Sequence, residues 1–201
     1  EVVRSSGSSL YGSDALGGVV SLFTKDPADY LRAQAFHLGG KLVYDGRARD
    51  TSGNVVIAGG RPGLQASLFS SFETGHEFGN QGSRATTDEW RTAPNPQDRR
   101  GGQALGKVVA TFSPGNVLRG TVEWTETEVD TNAYTSRGAV IGGPTVTDIE
   151  DITSLDTMRR SRFSVDHRID GRGGLQQWAW SAYLQQSDVD RVQEFRKCIE
   201  C

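Results

Sequence analysis

Residues Glu1–Pro27 read EVVRSSGSSLYGSDALGGVVSLFTKDP. Two Val-Val pairs, at 2–3 and 19–20, bracket a run of small and polar residues. β-branched pairs favour strands, so the stretch predicts a strand over Glu1–Arg4 and a second over Val19–Thr24. Between them, Ser8 or Ser9 can cap a short helix over Ser8–Ala15, and the paired glycines Gly17 and Gly18 stop it. On its own this pattern also fits an ordinary βαβ turn of a soluble protein.

Beyond Pro27 the texture changes. Ala28–Arg32 reads as a short linker, and from Ala33 onward the chain shows period-two patterning with no convincing helix. Phe36, Leu38, Gly40, Leu42 and Tyr44 fall on one face of a strand, His37 and Lys41 on the other. A second strand spans Asn54–Gly59, and Gly60-Arg61-Pro62-Gly63 turns the chain. Leu64, Ala66, Leu68 and Phe72 alternate with Gln65, Ser67, Ser71 and Glu73. Further strands are expected over Gln103–Phe112, Val117–Glu128, Met158–Asp170 and Leu175–Val189. Two long polar segments interrupt them, His76–Gly102 and Asp130–Asp156. Short turns near 61, 114 and 172 thus alternate with long loops. An outer-membrane barrel has this asymmetry, and its strands alternate between lipid and lumen. Trp124, Trp178 and Trp180 suit an aromatic girdle at the lipid boundary. A soluble β-sandwich also alternates, but its strands are shorter, near 5–6 residues on average.

The chain has 201 residues and a net charge of -3, which gives no electrostatic case for nucleic acid. No run of about 18 apolar residues exists, so no transmembrane helix is expected, whereas a spanning β-strand needs only about 10 residues of alternating pattern. The three histidines, His37, His76 and His167, lie on separate expected strands or strand ends. No Ser-His-Asp order, HExxH or phosphate loop is present, so no enzyme activity is expected. Cys198 and Cys201 stand in KCIEC without nearby further ligands, which favours a disulfide over a metal site. With no initiator Met at Glu1 and a stop just after a strand-like run, the chain is expected to be an interior piece of a longer polypeptide.

The opening stretch resembles the end of the plug domain of TonB-dependent outer-membrane receptors. The matching positions are Glu1–Arg4, Ser8–Gly12, Ser13, Ala15 and Gly17–Val20, with Arg4, Leu10, Tyr11, Gly12, Ser13, Ala15, Gly17 and Gly18 as the core of the motif. Ser5-Ser6 departs from the usual Gly-Pro and leaves the local turn open. The resemblance implies an α+β plug end over 1–32 and, over 33–201, about seven strands of a plugged antiparallel transmembrane barrel, which is all-β and has about 22 strands when complete. It also implies import without a resident cofactor, with energy from TonB through a box upstream of Glu1. Arg4 is then expected to pair with a carboxylate of the wall, from Glu73, Glu123 or Asp166. Thr24-Lys25-Asp26-Pro27-Ala28-Asp29 with Leu31, Asn80-Gln81-Gly82, and the run from Arg91 to Asp98 are similar to haem and haemoglobin receptors. That likeness implies haem or haemoglobin as the ligand and outer-membrane lipid as the surroundings. Haem iron takes an axial His or Tyr, and His76 is the weak candidate within this chain. A ferric siderophore receptor is the nearest alternative. A secreted β-sandwich adhesin or carbohydrate-binding module is the alternative of another class, and a passive porin lacks the opening motif.

Overall fold

The computed structural model describes residues 2–3, 19–20, 24–47, 49–142, 145–171 and 177–199. Strands β1 (Val2–Val3) and β2 (Val19–Val20) pair antiparallel, Val2 with Val20 and Val3 with Val19. A parallel βαβ unit would pair them the other way, so that alternative falls. The helix expected over Ser8–Ala15 lies outside the described residues.

The linker expected at Ala28–Arg32 is instead a helical turn, α1 (Pro27–Leu31). Pro27 stands at the first helical position, where its missing N–H costs nothing. Asp29 accepts the Asp26 backbone N–H at 2.8 Å and closes the N-terminus. Pro27 is thus a helix start and not the stop it resembles in the sequence.

Eight strands form the main sheet: β3 (Phe36–Asp45), β4 (Asp50–Arg61), β5 (Leu64–His76), β6 (Gln97–Ser113), β7 (Asn116–Asn132), β8 (Gly138–Gly142), β9 (Thr145–Asp170) and β10 (Gln177–Ile199). The order is β10-β9-β7-β6-β5-β4-β3, every pairing is antiparallel, and β8 pairs with the extended start of β9. The sheet is open, with β3 and β10 at its edges. The polar segment 130–156 is largely strand, contrary to expectation, and β6 and β10 also run further than their apolar alternation. These extensions carry cross-strand charge pairs in place of apolar ones. Arg191 on β10 reaches Asp156 opposite it on β9, and Arg196 reaches Asp151 at 3.7 Å in the same ladder. Opposite charges facing each other across a ladder stabilise it as apolar pairs do.

The register carries the alternation across the sheet. Leu38 faces Ile57, which faces Leu68, then Gly106, Val122, Phe163 and Leu184. The next rows toward the short turns hold Phe36, Ala66, Val108, Val165 and Ala182, then Leu64, Leu118 and Trp180. This apolar face is bare: Leu38 is 62% exposed and Leu184 76%. The opposite face carries Lys41, Ser67, Lys107, Arg119, Thr121 and Arg162, with Val56, Phe69 and Leu105 among them. That second face is the shielded one. Along β4 and β5, Asn54, Ala58, Gln65 and Ser67 are covered more than Val55, Ile57, Leu64 and Leu68. The described part of the molecule is therefore inside-out. Its small core sits where α1 lies on the mixed face, with Leu31 1% exposed and Pro27 fully buried.

A bare apolar face with two open edges predicts the behaviour of these 201 residues in water. In detergent-free buffer they are expected to aggregate, without a monomeric cooperative unfolding transition. Sedimentation and circular dichroism check this, and a two-state monomer would contradict it.

Candidate functional site

The described side chains converge where the opening segment meets the sheet. Asp26 ends the segment before α1. Its Oδ1 accepts from Lys107 Nζ at 3.0 Å and from Arg119 Nε at 3.1 Å, and a second Arg119 nitrogen reaches Oδ2. Lys107 also donates to the Thr24 carbonyl at 2.7 Å. Lys107 faces Thr121 on β7, and Arg119 lies two residues from Thr121 on the same face. One carboxylate is thus shared by cations from two adjacent strands. Lys107 is only 6% exposed, and an unpaired ammonium there would be costly.

Partial burial pushes the Asp26 carboxyl up, but the hydrogen bonds and charges of Arg119 and Lys107 outweigh it and hold it below the usual carboxylate range. A lowered folded-state pKa means stability that is present above the ordinary Asp value. It is lost as the pH falls through the folded value, below the 3.8 of an ordinary Asp. The junction is therefore complete at neutral and mildly acidic pH.

The backbone after α1 is fixed in an uncommon shape. Arg32 at φ 42° and Ala33 at φ 75° are both left-handed without being glycine. Arg32 N–H donates to the Ala28 carbonyl at 3.2 Å, Gln34 N–H to Leu31 at 2.7 Å, and Gly60 N–H to Ala35 at 3.1 Å. Tyr30 stacks on His37 with ring centroids 5.8 Å apart, and the Lys25 ammonium lies 5.5 Å from the Tyr30 ring centroid. This elbow carries the chain from the mixed face into β3.

At the opposite end of the sheet, the long connection 77–96 is braced. Asn80 and Thr92 tie its two limbs, through Asn80 Nδ2 to the Thr92 carbonyl at 3.0 Å and Arg84 N–H to Thr92 Oγ1 at 3.0 Å. Arg91 clasps the carbonyls of Pro94 and Thr86, both at 2.8 Å. Asn95 then exchanges two hydrogen bonds with Thr135 of the next connection, at 2.9 and 3.1 Å. Tyr134 is flanked by the guanidinium groups of Arg91 and Arg137, 5.2 and 4.2 Å from its ring centroid. Trp90 stands exposed on this braced loop.

The motif residues Arg4, Leu10, Tyr11, Gly12, Ser13, Ala15, Gly17 and Gly18 lie outside the described residues, as does Cys201. Cys198 is disulfide-bonded. Glu73, Glu123 and Asp166, named as partners for Arg4, all lie on the mixed face, and Asp166 stands opposite Arg119 in the ladder. The ionic contact described at the junction has the opposite polarity, with the carboxylate on the opening segment and the cations on the sheet. His76 does not face the junction. It shares the face of Phe72 and pairs with Asp98 at 2.7 Å. His167 bonds Asn116 at 3.0 Å and lies edge-on to Trp178 and Trp180. Among the described residues no three His, Cys, Asp or Glu side chains gather as a metal site. Lys107 and Arg119 were not singled out from the sequence, and Asp26 stood there only as part of the Thr24–Leu31 string. The available signals were an Asp directly before a Pro at a helix start, and a lysine flanked by Gly106 and Val108 in an otherwise small or apolar strand.

Compared with models of known protein families the chain matches none, and no curated protein matches it.

Removal of either junction partner should have unequal effects. Asp26→Asn takes the carboxylate from Lys107, only 6% exposed, while Arg119 still has Asp166 across the ladder, and is expected to destabilise by about 2–3 kcal/mol. Lys107→Met leaves Asp26 with Arg119 and is expected to cost about 1 kcal/mol. Thermal unfolding midpoints in detergent check the order, and equal or reversed losses would contradict the shared-carboxylate geometry.

Proposed function

We propose that this chain forms the plug-to-wall junction and part of the wall of a TonB-dependent outer-membrane receptor that imports a scarce nutrient. The resemblance of residues 1–32 names the class. The observation that carries it furthest is the outline of the bare apolar face. Within the continuous band, the last apolar residue toward the long loops is Tyr44 on β3, Phe72 on β5, Trp124 on β7 and Leu184 on β10; Leu155 and Val192 form a separate pair on the same face, beyond Arg159 and Asp188. In register, Phe72 lies level with Leu42, Trp124 with Gly40, and Leu184 with Leu38. The border therefore slips by about one residue for every strand crossed. With strands about 4.8 Å apart and a rise of about 3.3 Å per residue, a level border requires a strand tilt of about 35°. Barrel strands tilt by about 35–45°. A lipid slab imposes one level band on tilted strands, and this band has that outline.

The other features agree with this reading. Phe36, Phe112, Trp178 and Trp180 edge the band on the short-turn side, and Tyr44, Phe72 and Trp124 edge it on the other, as girdles do. α1 lies on the mixed face, which is the lumen side of such a wall. It enters at the end of β3 near the short turn between β4 and β5, the periplasmic end by analogy.

The ligand rests on less. Within Thr24–Leu31, every residue that carries the likeness, except Lys25 and Ala28, serves the junction. Thr24 and Asp26 bind Lys107, Pro27 starts α1, Asp29 caps it and Leu31 is buried. The string describes a junction and not a ligand. Asn80, Arg91 and Pro94 likewise brace a loop. Haem or haem-protein iron is our reading from the resemblance, and a ferric siderophore is the second reading that these structural roles keep in place.

Two measurements follow. Phe163→Arg is expected to cost about 2–4 kcal/mol by placing a charge in the lipid band, whereas Ser164→Arg, one residue along on the other face, is expected to assemble. Folded yield in outer membranes, read by heat-modifiable gel mobility, separates them; equal yields would contradict the lipid-facing assignment. For the ligand, haemin titration of the full-length receptor in detergent should shift the Soret band saturably and resist a ferric siderophore competitor. Absence of a shift would remove haem and leave the receptor class.

A further inference from the structure

We infer that Thr24–Ala35 is a fixed anchor, so that any rearrangement of the plug stops on the N-terminal side of Thr24. This rests on the receptor reading above and identifies which part of the plug does not move.

Four observations converge on it. Lys107 grips the chain twice within three residues, at the Thr24 carbonyl and the Asp26 carboxylate, from a position 6% exposed. Arg119 holds the same carboxylate from the neighbouring strand. Leu31 and Pro27 are buried against the sheet. The left-handed pair Arg32 and Ala33 would be the natural hinge if α1 swung away, because non-glycine residues in that conformation are held only by their surroundings. Here both sides of the pair are tied, by Gln34 to Leu31 and by Gly60 to Ala35.

The order of these contacts along the chain gives them a mechanical sense. A pull transmitted from the N-terminal side reaches Thr24 and Asp26 before it reaches α1 or the elbow. Lys107 and Arg119 pass that load to β6 and β7, two strands within the wall and not at its edge. Release would expose an ammonium and a guanidinium on the mixed face at the same moment as two buried apolar side chains.

The test uses the full-length receptor, in intact cells for transport and in outer-membrane vesicles for hydrogen exchange. Tyr30→Cys with His37→Cys, whose parent rings are 5.8 Å apart, allows a short bis-thiosulfonate reagent to tie α1 to β3 across the elbow. The anchor predicts TonB-dependent uptake of labelled iron, supplied as haemin or, where the titration above excludes haemin, as a ferric siderophore, within twofold of the uncrosslinked protein. A tenfold or greater fall on crosslinking, reversed by reductant, would overturn it. Hydrogen exchange supplies a readout that does not need transport. Amides of Arg32 and Gln34 should exchange at the same rate with and without the TonB C-terminal domain. In Asp26→Asn they should exchange at least tenfold faster while the Leu38 amide is unchanged. Acceleration in the unaltered protein on TonB binding, or no acceleration in the variant, would each reject the anchor. Failure of TonB to bind at all would reject the receptor reading instead, and the variant comparison would still decide whether Asp26 holds the junction.

Discussion

An antiparallel sheet satisfies its backbone within itself, but its apolar face must still be taken out of water. In this chain nothing among the described residues does so. Leu38, Ile57, Leu68, Val122, Phe163 and Leu184 lie in one hydrogen-bonded row with their side chains open. The face that is covered is the mixed one. This inversion governs the rest of the structure. It requires an apolar environment outside the sheet, and it makes the opposite face the place for polar contacts with another part of the same chain. The slanted border of the apolar band turns the general requirement into a specific one, because a planar slab meeting tilted strands leaves such a border and a second protein layer need not.

The junction solves the complementary problem. A segment lying on a mixed face is not held by apolar burial alone, and among its described residues Pro27 and Leu31 contribute in that way. Charge does the remainder. Asp26 brings two cations from β6 and β7 to one point, and the neighbouring residues convert that contact into a defined path through α1 and the left-handed elbow into β3. The sheet and the segment are thus joined by few residues with strong geometric demands. At the far end of the sheet the same economy holds in a different form, where Tyr134 between two arginines and the Asn95–Thr135 pair bind the long connection 77–96 to the short one between β7 and β8.

The strand faces were legible in the sequence because lipid or core on one side and polar contacts on the other impose a period of two, and Leu64, Ala66, Leu68 and Phe72 need no neighbours to show it. Strand ends were not legible. Past Trp124 the ladder of β7 continues through Glu126, Glu128 and Asp130, whose partners Arg159, Thr157 and Leu155 are far away in the chain. A pairing of that kind has no local signature, and so Asp130–Asp156 read as loop. α1 was missed because Pro27 is equally at home ending a strand or starting a helix, and the choice was made by Asp26 and Asp29 together with Leu31 finding cover. The site itself was half legible. The string around Asp26 stood out, but Lys107 and Arg119 became its partners only through a register that brings β6 and β7 beneath it.

The most direct test of a tilted wall in a lipid slab is a depth profile of spin labels in the full-length protein reconstituted into bilayers. Labels at Tyr44, Phe72, Trp124 and Leu184 should report one common depth, since they mark one border of the band. Labels along the hydrogen-bonded row from Leu38 through Leu68 and Val122 to Leu184 should step steadily in depth, by about 16 Å in all from strand spacing and tilt. A row at constant depth, or labels on these positions that are freely accessible to water-borne relaxation agents, would contradict the account.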